Sequence, residues 1–144
     1  MNILLLCTGN TCRSPMAEGL LNKKIKERRL SGITVRSCGV NAVGGERANP
    51  RAIKVAAEMG VDLNGFTATP FTKKLLDWAD VVLCMTPALT EAVKSKKATD
   101  FSLLYGIKPI SDPYGGSDED YRKTIYDLNF ACELLVKELE KGHK

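Results

Sequence analysis

The chain has 144 residues, of which 44% are hydrophobic and 26% charged, and carries a net charge of +4. These figures predict one globular domain over residues 1–144 with a proper core, and they exclude a disordered or low-complexity chain. The charge is too weak and diffuse for nucleic acid, no apolar run approaches the ~20 residues of a membrane span, and no leader pattern points to export.

The first element, Ile3-Leu4-Leu5-Leu6, reads as a buried strand. Cys7-Thr8-Gly9-Asn10-Thr11-Cys12-Arg13-Ser14-Pro15 follows, with Pro15 suited to a first helical position and Ser14 to the N-cap before it. A loop between a strand and a helix faces the helix's positive end, where successive backbone N–H groups form an anion nest. Gly9 and Asn10 tolerate the positive φ that a nest needs. Backbone N–H groups from Thr8 through Arg13 would hold the oxygens of a phosphate, and Arg13 can fork two of them. The same field favours a thiolate at Cys7, and the Ser14 hydroxyl is placed to donate to it. A thiolate under a clamped phosphate is built for in-line attack on phosphorus, which predicts a phosphocysteine intermediate. The bland alternative, Cys7 as a small strand-end hydrophobe, leaves the nest and the arginine without a packing reason.

Ala17, Leu20, Leu21 and Ile25 recur at helical spacing, and the charges from Lys23 to Arg29 read as a solvated face around them. Ile33–Ser37 reads as the second strand, and the polar stretch from Gly39 to Asn49 as a loop. Asn49-Pro50 opens a helix with Ile53, Ala56 and Ala57 as its apolar face and Gly60 at its end. Residues 61–70 are irregular. Leu75, Leu76 and Trp78 mark a short helix, and Val81–Met85 is a buried strand. Thr86-Pro87 caps the next helix, and Phe101–Leu104 is predicted as the fourth strand. Ser117 with Asp120 forms a capping box for a last helix striped by Ile125, Leu128, Cys132, Leu135 and Leu139.

Strands alternating with helices predict an α/β domain of three layers, a four-stranded parallel sheet with helices on both faces. Ligands in such sheets sit at the carboxyl edge of the strands, where the Cys7 loop leaves and where the segment holding Asp112 should return. The cysteines, Cys7, Cys12, Cys38, Cys84 and Cys132, are odd in number and scattered, which predicts a reducing, cytoplasmic setting. The only histidine is His143, so a cysteine–histidine zinc site is not expected, nor any other metal or cofactor.

Cysteine, five residues, arginine and serine form the signature of cysteine-dependent phosphatases. With that loop close to residue 1 and Asp112-Pro113-Tyr114 late in the chain, the sequence resembles the low-molecular-weight protein tyrosine phosphatases over nearly its whole length. The resemblance implies a monomer without cofactor that acts on phosphorylated proteins, with Cys7 as nucleophile, Arg13 as clamp and Asp112 as general acid. On the residues alone, an ordinary Asp-Pro turn is the lesser reading of Asp112. The resemblance implies that the loop from Gly39 to Asn49 flanks the site's mouth, that Ser37 hydrogen-bonds Asn10, and that Tyr114 walls the leaving group. Ser37 as a strand-end serine bonded to backbone, and Tyr114 as a surface aromatic, remain open. Some members brace the loop with a histidine where this chain has Asn64-Gly65. Cys12 reads either as a partner for a protective disulfide with Cys7 or as a small residue packed under the loop.

Thr11 bears on the substrate. Many members have isoleucine or leucine there against a phosphotyrosine ring, whereas threonine resembles the bacterial branch that acts on phosphoarginine. The sequence leans to that branch, with phosphotyrosine as the alternative. Thioredoxin-coupled arsenate reductases share the loop, but Cys84 has no neighbouring cysteine in the central region. A non-catalytic phosphoprotein-binding module would have lost Cys7, Arg13 or Asp112. A nucleotide P-loop would need Gly-Lys-Ser/Thr.

Overall fold

The computed structural model describes residues 1–142, so His143 lies outside the described residues. Four parallel strands, β1 (Asn2–Cys7), β2 (Thr34–Gly39), β3 (Val81–Cys84) and β4 (Ala98–Asp100), stand in the order β2-β1-β3-β4. The helices are α1 (Arg13–Glu27), α2 (Pro50–Glu58), α3 (Lys73–Trp78), α4 (Pro87–Val93), α5 (Phe101–Tyr105) and α6 (Asp118–Lys141).

Strand β1 is central because it is apolar on both faces. Ile3, Leu4, Leu5 and Leu6 are each 0% exposed, and burying such a side chain contributes about 1.5–3 kcal/mol. Helices α1, α2 and α6 pack on one another over one face, while α3 meets β1 and α4 meets β3 and β4 on the other. The chain leaves β1 toward β2 and comes back on the other side to β3. The strand order therefore reverses at the carboxyl end of β1, where open α/β sheets bind their ligands. Cys7 is the last residue of that strand.

The described part is the three-layer α/β domain that the alternation predicts, with four corrections. Phe101–Leu104 is helix, not strand. β4 is the preceding Ala98–Asp100, and Asp100 caps α5 by accepting from the Leu103 N–H at 3.0 Å. Four residues, three of them apolar around Ser102, are too few to carry a periodicity, so the cap outweighs the run's resemblance to a strand. Ser14 does not cap α1, and Pro15 is not its first residue. The helix starts at Arg13, with Cys12 at the N-cap and no side-chain cap bond. The buried face of α2 is Ala52, Val55 and Ala56, with Ala57 exposed. The charges of α1 are only partly a solvated face, since Lys24 pairs with Glu133 of α6 at 2.9 Å and Arg28 pairs with Glu133 and Glu140.

Asp100 is 1% exposed and also accepts from the Thr90 hydroxyl at 3.2 Å and from Ser102 Oγ. Asp100→Ala removes the cap and leaves the half-buried hydroxyls of Thr90 and Ser102 to repartner. It is expected to lower stability by about 1–2 kcal/mol in a urea titration, without a change in slope.

Candidate active site

The loop between β1 and α1 is shaped from beneath by one side chain. Asn10 is fully buried and takes a left-handed backbone, φ 56°, which asparagine tolerates better than most residues. Its amide uses every polar atom. Nδ2 donates to Ser14 Oγ at 2.8 Å and to Ser37 Oγ at 3.0 Å, and Oδ1 accepts from the Thr69 N–H at 2.8 Å. Two hydroxyls on one side and a backbone donor on the other fix which way the amide points. Bracing from the irregular segment thus comes through the Thr69 backbone, in a chain with Asn64-Gly65 where some relatives have a histidine.

The brace reaches the sulfur. Ser14 Oγ lies 2.8 Å from Cys7 Sγ. Because that oxygen already accepts from Asn10, its own hydrogen is free to point at the sulfur. The Asn10 backbone N–H donates to the same sulfur at 3.2 Å. Ser37 also hydrogen-bonds, through side chain and backbone, to Glu18, whose carboxyl is pushed upward by burial against the pull of those bonds. The expected donation from Ser14 to Cys7 therefore has its geometry, although Ser14 is no helix cap. Asn10, Ser14 and Ser37 lie under the loop as supports rather than in the cleft.

Above them is a cleft of ≈ 250 Å³. Cys7, Thr8, Gly9, Thr11, Cys12 and Arg13 form its floor and near wall, and Asp112 and Tyr114 its far wall. Helix α1 opens on this floor without a side-chain cap, so its first-turn N–H groups are available to an anion. The Arg13 side chain is 5% exposed and is aimed by donation from Nη1 to the Ile110 carbonyl at 3.1 Å. Its other terminal nitrogen lies 3.6 Å from Asp112 Oδ2. Asp112 is half exposed and accepts from the Tyr114 N–H at 3.0 Å, which makes it the head of a turn. The turn is closed by Gly116 N–H on the Pro113 carbonyl at 2.8 Å. Both readings of Asp112, a turn residue and a group reaching the site, hold at once. Tyr114 is 75% exposed at the rim.

The other cysteines are chemically unlike Cys7 in their surroundings. Burial pushes the thiols of Cys38 and Cys132 up to about 12 and that of Cys84 to about 11. Cys12 is also pushed up, first by burial, and its sulfur sits 3.4 Å from the Tyr121 hydroxyl of α6. All five cysteines are free. Among the described residues, no three His, Cys, Asp or Glu side chains converge to hold a metal, and no helix is long and apolar enough to cross a membrane.

Two residues of the site were not legible in the sequence. Glu46 lines the cleft from the loop after β2. Gly39, at the end of β2, lets the Thr8–Asn10 backbone lie against it. A strand-end glycine is the one signal that pointed to the second, and a glycine-rich polar loop gave none for the first.

The profile of the low molecular weight phosphotyrosine protein phosphatases matches residues 2–144. A protein-arginine-phosphatase of Bacillus subtilis (strain 168) is 36% identical over 152 aligned residues, covering 100% of both chains. The structure of the YwlE arginine phosphatase mutant with a phosphorylated active site serine superposes with a TM-score of 0.91 at 34% identity, covering 98% of this chain and 97% of that one. The tyrosine phosphatase Wzb from Escherichia coli K30, solved in complex with sulphate, gives 0.86 at 33% identity, covering 96% and 97%.

A β-carbon at position 39 would lie 2.5 Å from the Thr8 carbonyl oxygen and 2.8 Å from the Asn10 nitrogen, both of them backbone atoms. Gly39→Ala is therefore expected to cost about 1–3 kcal/mol of stability by denaturant titration. It should also slow turnover of an aryl phosphate by about 10- to 100-fold through displacement of the loop.

Proposed function

The chain belongs to the low molecular weight phosphotyrosine protein phosphatase family, and from that premise we propose that it is a cytoplasmic, monomeric phosphatase of phosphoarginine side chains in proteins, folded as one domain over residues 1–144. Thr11 carries the choice of side chain. It stands at the rim of the cleft, only partly buried. A hydroxyl there offers a polar partner to a guanidinium and little to an aromatic ring, and a site that hydrogen-bonds its substrate discriminates more strongly than one that only packs against it. The similarity to proteins named protein-arginine-phosphatase supports the same reading.

The chemistry runs in two steps. In the first, the Cys7 thiolate attacks phosphorus in line, the S–P bond forms and the P–N bond breaks. Asp112 gives its proton to the departing nitrogen, which leaves as an arginine guanidinium. Arg13 and the loop backbone from Thr8 through Arg13 hold the equatorial oxygens while charge moves from one apical atom to the other. Preorganised donors of this kind are usually the largest single contribution. In the second step, water gives a proton to the Asp112 carboxylate and attacks phosphorus. The S–P bond breaks and orthophosphate leaves, with the Ser14 hydroxyl stabilising the released thiolate. The intermediate is a phosphocysteine, and a relative captured with a phosphorylated active site serine supports attack from this position. Tyr114 walls the exit on the leaving-group side, and Asn10 and Ser37 hold the loop.

Cys7→Ser is expected to abolish hydrolysis, and Asp112→Asn to lower kcat by about 10²–10⁴-fold with a smaller effect for leaving groups that need no proton. Cys7→Ser is read on p-nitrophenyl phosphate, whose leaving group needs little protonation, and Asp112→Asn on a phosphoarginine peptide beside it, both without added metal. The substrate reading is tested by kcat/KM on phosphoarginine and phosphotyrosine peptides of one sequence, for wild type and Thr11→Ile. The wild type should favour phosphoarginine and Thr11→Ile should move the preference toward phosphotyrosine. A wild type that favours phosphotyrosine, with no shift in the variant, sinks the assignment.

A further inference from the structure

The cleft contains a charged side chain that the two-step chemistry does not use. Glu46 lines the same hollow as Cys7, Arg13 and Asp112. Asp112, the other carboxylate there, has Arg13 at 3.6 Å. The Glu46 side chain has no hydrogen bond or ion pair among the described residues, although its neighbour Arg47 is engaged with the Asn64 carbonyl at 2.8 Å.

The position of Glu46 is nonetheless fixed. Its carbonyl accepts from the Ala68 N–H at 2.7 Å, and the Ala68 carbonyl accepts from the Gly45 N–H at 3.0 Å, so the backbone is held on both sides. Its own N–H donates to the Val43 carbonyl at 3.1 Å, and Gly45 supplies the left-handed turn, φ 84°. The next residue bridges to Thr67 in antiparallel pairing. The loop is tied to the phosphate loop as well, through Val40 N–H on Cys7 O at 3.1 Å and Asn41 N–H on Thr8 O at 2.8 Å. A carboxylate is thus presented to the site from a pinned backbone.

Such a group works against an anion-binding site unless the substrate brings a cation. An aryl phosphate is negative at its phosphoryl end and neutral at its ring, so Glu46 only repels it. A phosphoarginine side chain carries a guanidinium next to phosphorus, and a carboxylate on the wall complements it.

We propose that Glu46 is a specificity-determining residue, whose carboxylate faces the guanidinium of a bound phosphoarginine and disfavours uncharged aromatic leaving groups. This rests on the phosphoarginine reading above and adds a second selecting residue to Thr11. Glu46 takes no part in bond breaking. It acts on the free-energy difference between a cationic and a neutral leaving side.

The test is kcat/KM of the full chain, wild type and Glu46→Gln, on phosphoarginine and phosphotyrosine peptides of one sequence, at low and high salt. The ratio of the two values should fall about tenfold in Glu46→Gln at low salt, the size of one partly screened charge contact. The phosphoarginine value should drop, the phosphotyrosine value should rise, and added salt should shrink the change. Glu46→Arg should move the ratio further in the same direction. The side chain is exposed and holds nothing in place, so an unchanged melting temperature separates selection from misfolding. If both substrates lose activity in parallel, or the ratio stays where it is, Glu46 is not a selector. A wild type that prefers phosphotyrosine overturns the parent reading instead, and Glu46 still stands or falls on whether its replacement shifts the ratio.

Discussion

The side-chain amide of Asn10 commits both hydrogens and its oxygen inside the protein, and the geometry around Cys7 depends on that closure. Its two N–H bonds go to Ser14 and Ser37, and its oxygen takes the Thr69 N–H. A left-handed non-glycine residue is unfavourable by itself and persists where its surroundings over-determine it. Here three separate segments do so: the start of α1, strand β2 and the connection before α3. The same contacts orient the Ser14 hydroxyl toward the sulfur. A support that looks structural therefore also shapes the hydrogen bonding around the Cys7 sulfur.

The site divides accordingly into a rigid half and a surface half. Cys7 and Arg13 are almost wholly buried, with Ser14 of α1 and the braced Asn10 N–H against the sulfur and the buried Ile110 carbonyl aiming the guanidinium. Asp112, Tyr114 and Glu46 come from loops and are half or more exposed. Groups that hold a phosphoryl oxygen must not move as charge builds. Groups that meet the leaving side chain belong to a protein substrate's entry path and stay open to solvent.

The strand–loop–helix around Cys7, the caps at Asn49, Thr86 and Ser117, and the parallel layered architecture were legible because each is written in local chemistry. A capping oxygen, a proline at a first turn and an apolar run all act within a few residues. The failures were of two kinds. Phe101–Leu104 fits a strand because three apolar residues among four satisfy either period, and the deciding signal is the single aspartate before them. Ser14 was read both as a cap and as a donor to sulfur. The first fails because α1 starts at Arg13 with Cys12 at its N-cap, which puts Ser14 inside the first turn, where its Oγ accepts from Asn10 and lies 2.8 Å from Cys7 Sγ. Glu46 and Gly39 were invisible for a further reason. Their meaning comes from which distant backbone lies against them, and a loop's sequence does not encode that.

Asp112 and Cys7 are 105 positions apart, Asp112 being joined to α6 by a short turn and Cys7 leading into α1, and α1 and α6 pack extensively against each other. The order of synthesis is therefore not neutral. A growing chain that has emerged only as far as α5 contains all four strands and the Cys7 loop, yet it lacks Ile110, Asp112 and the helix that covers α1. While the residues after α5 are being made, at about 5–20 residues per second, α1 lacks its cover and Arg13 lacks the carbonyl that aims it. Docking of α6 covers α1, and the turn before it carries Asp112 to Arg13.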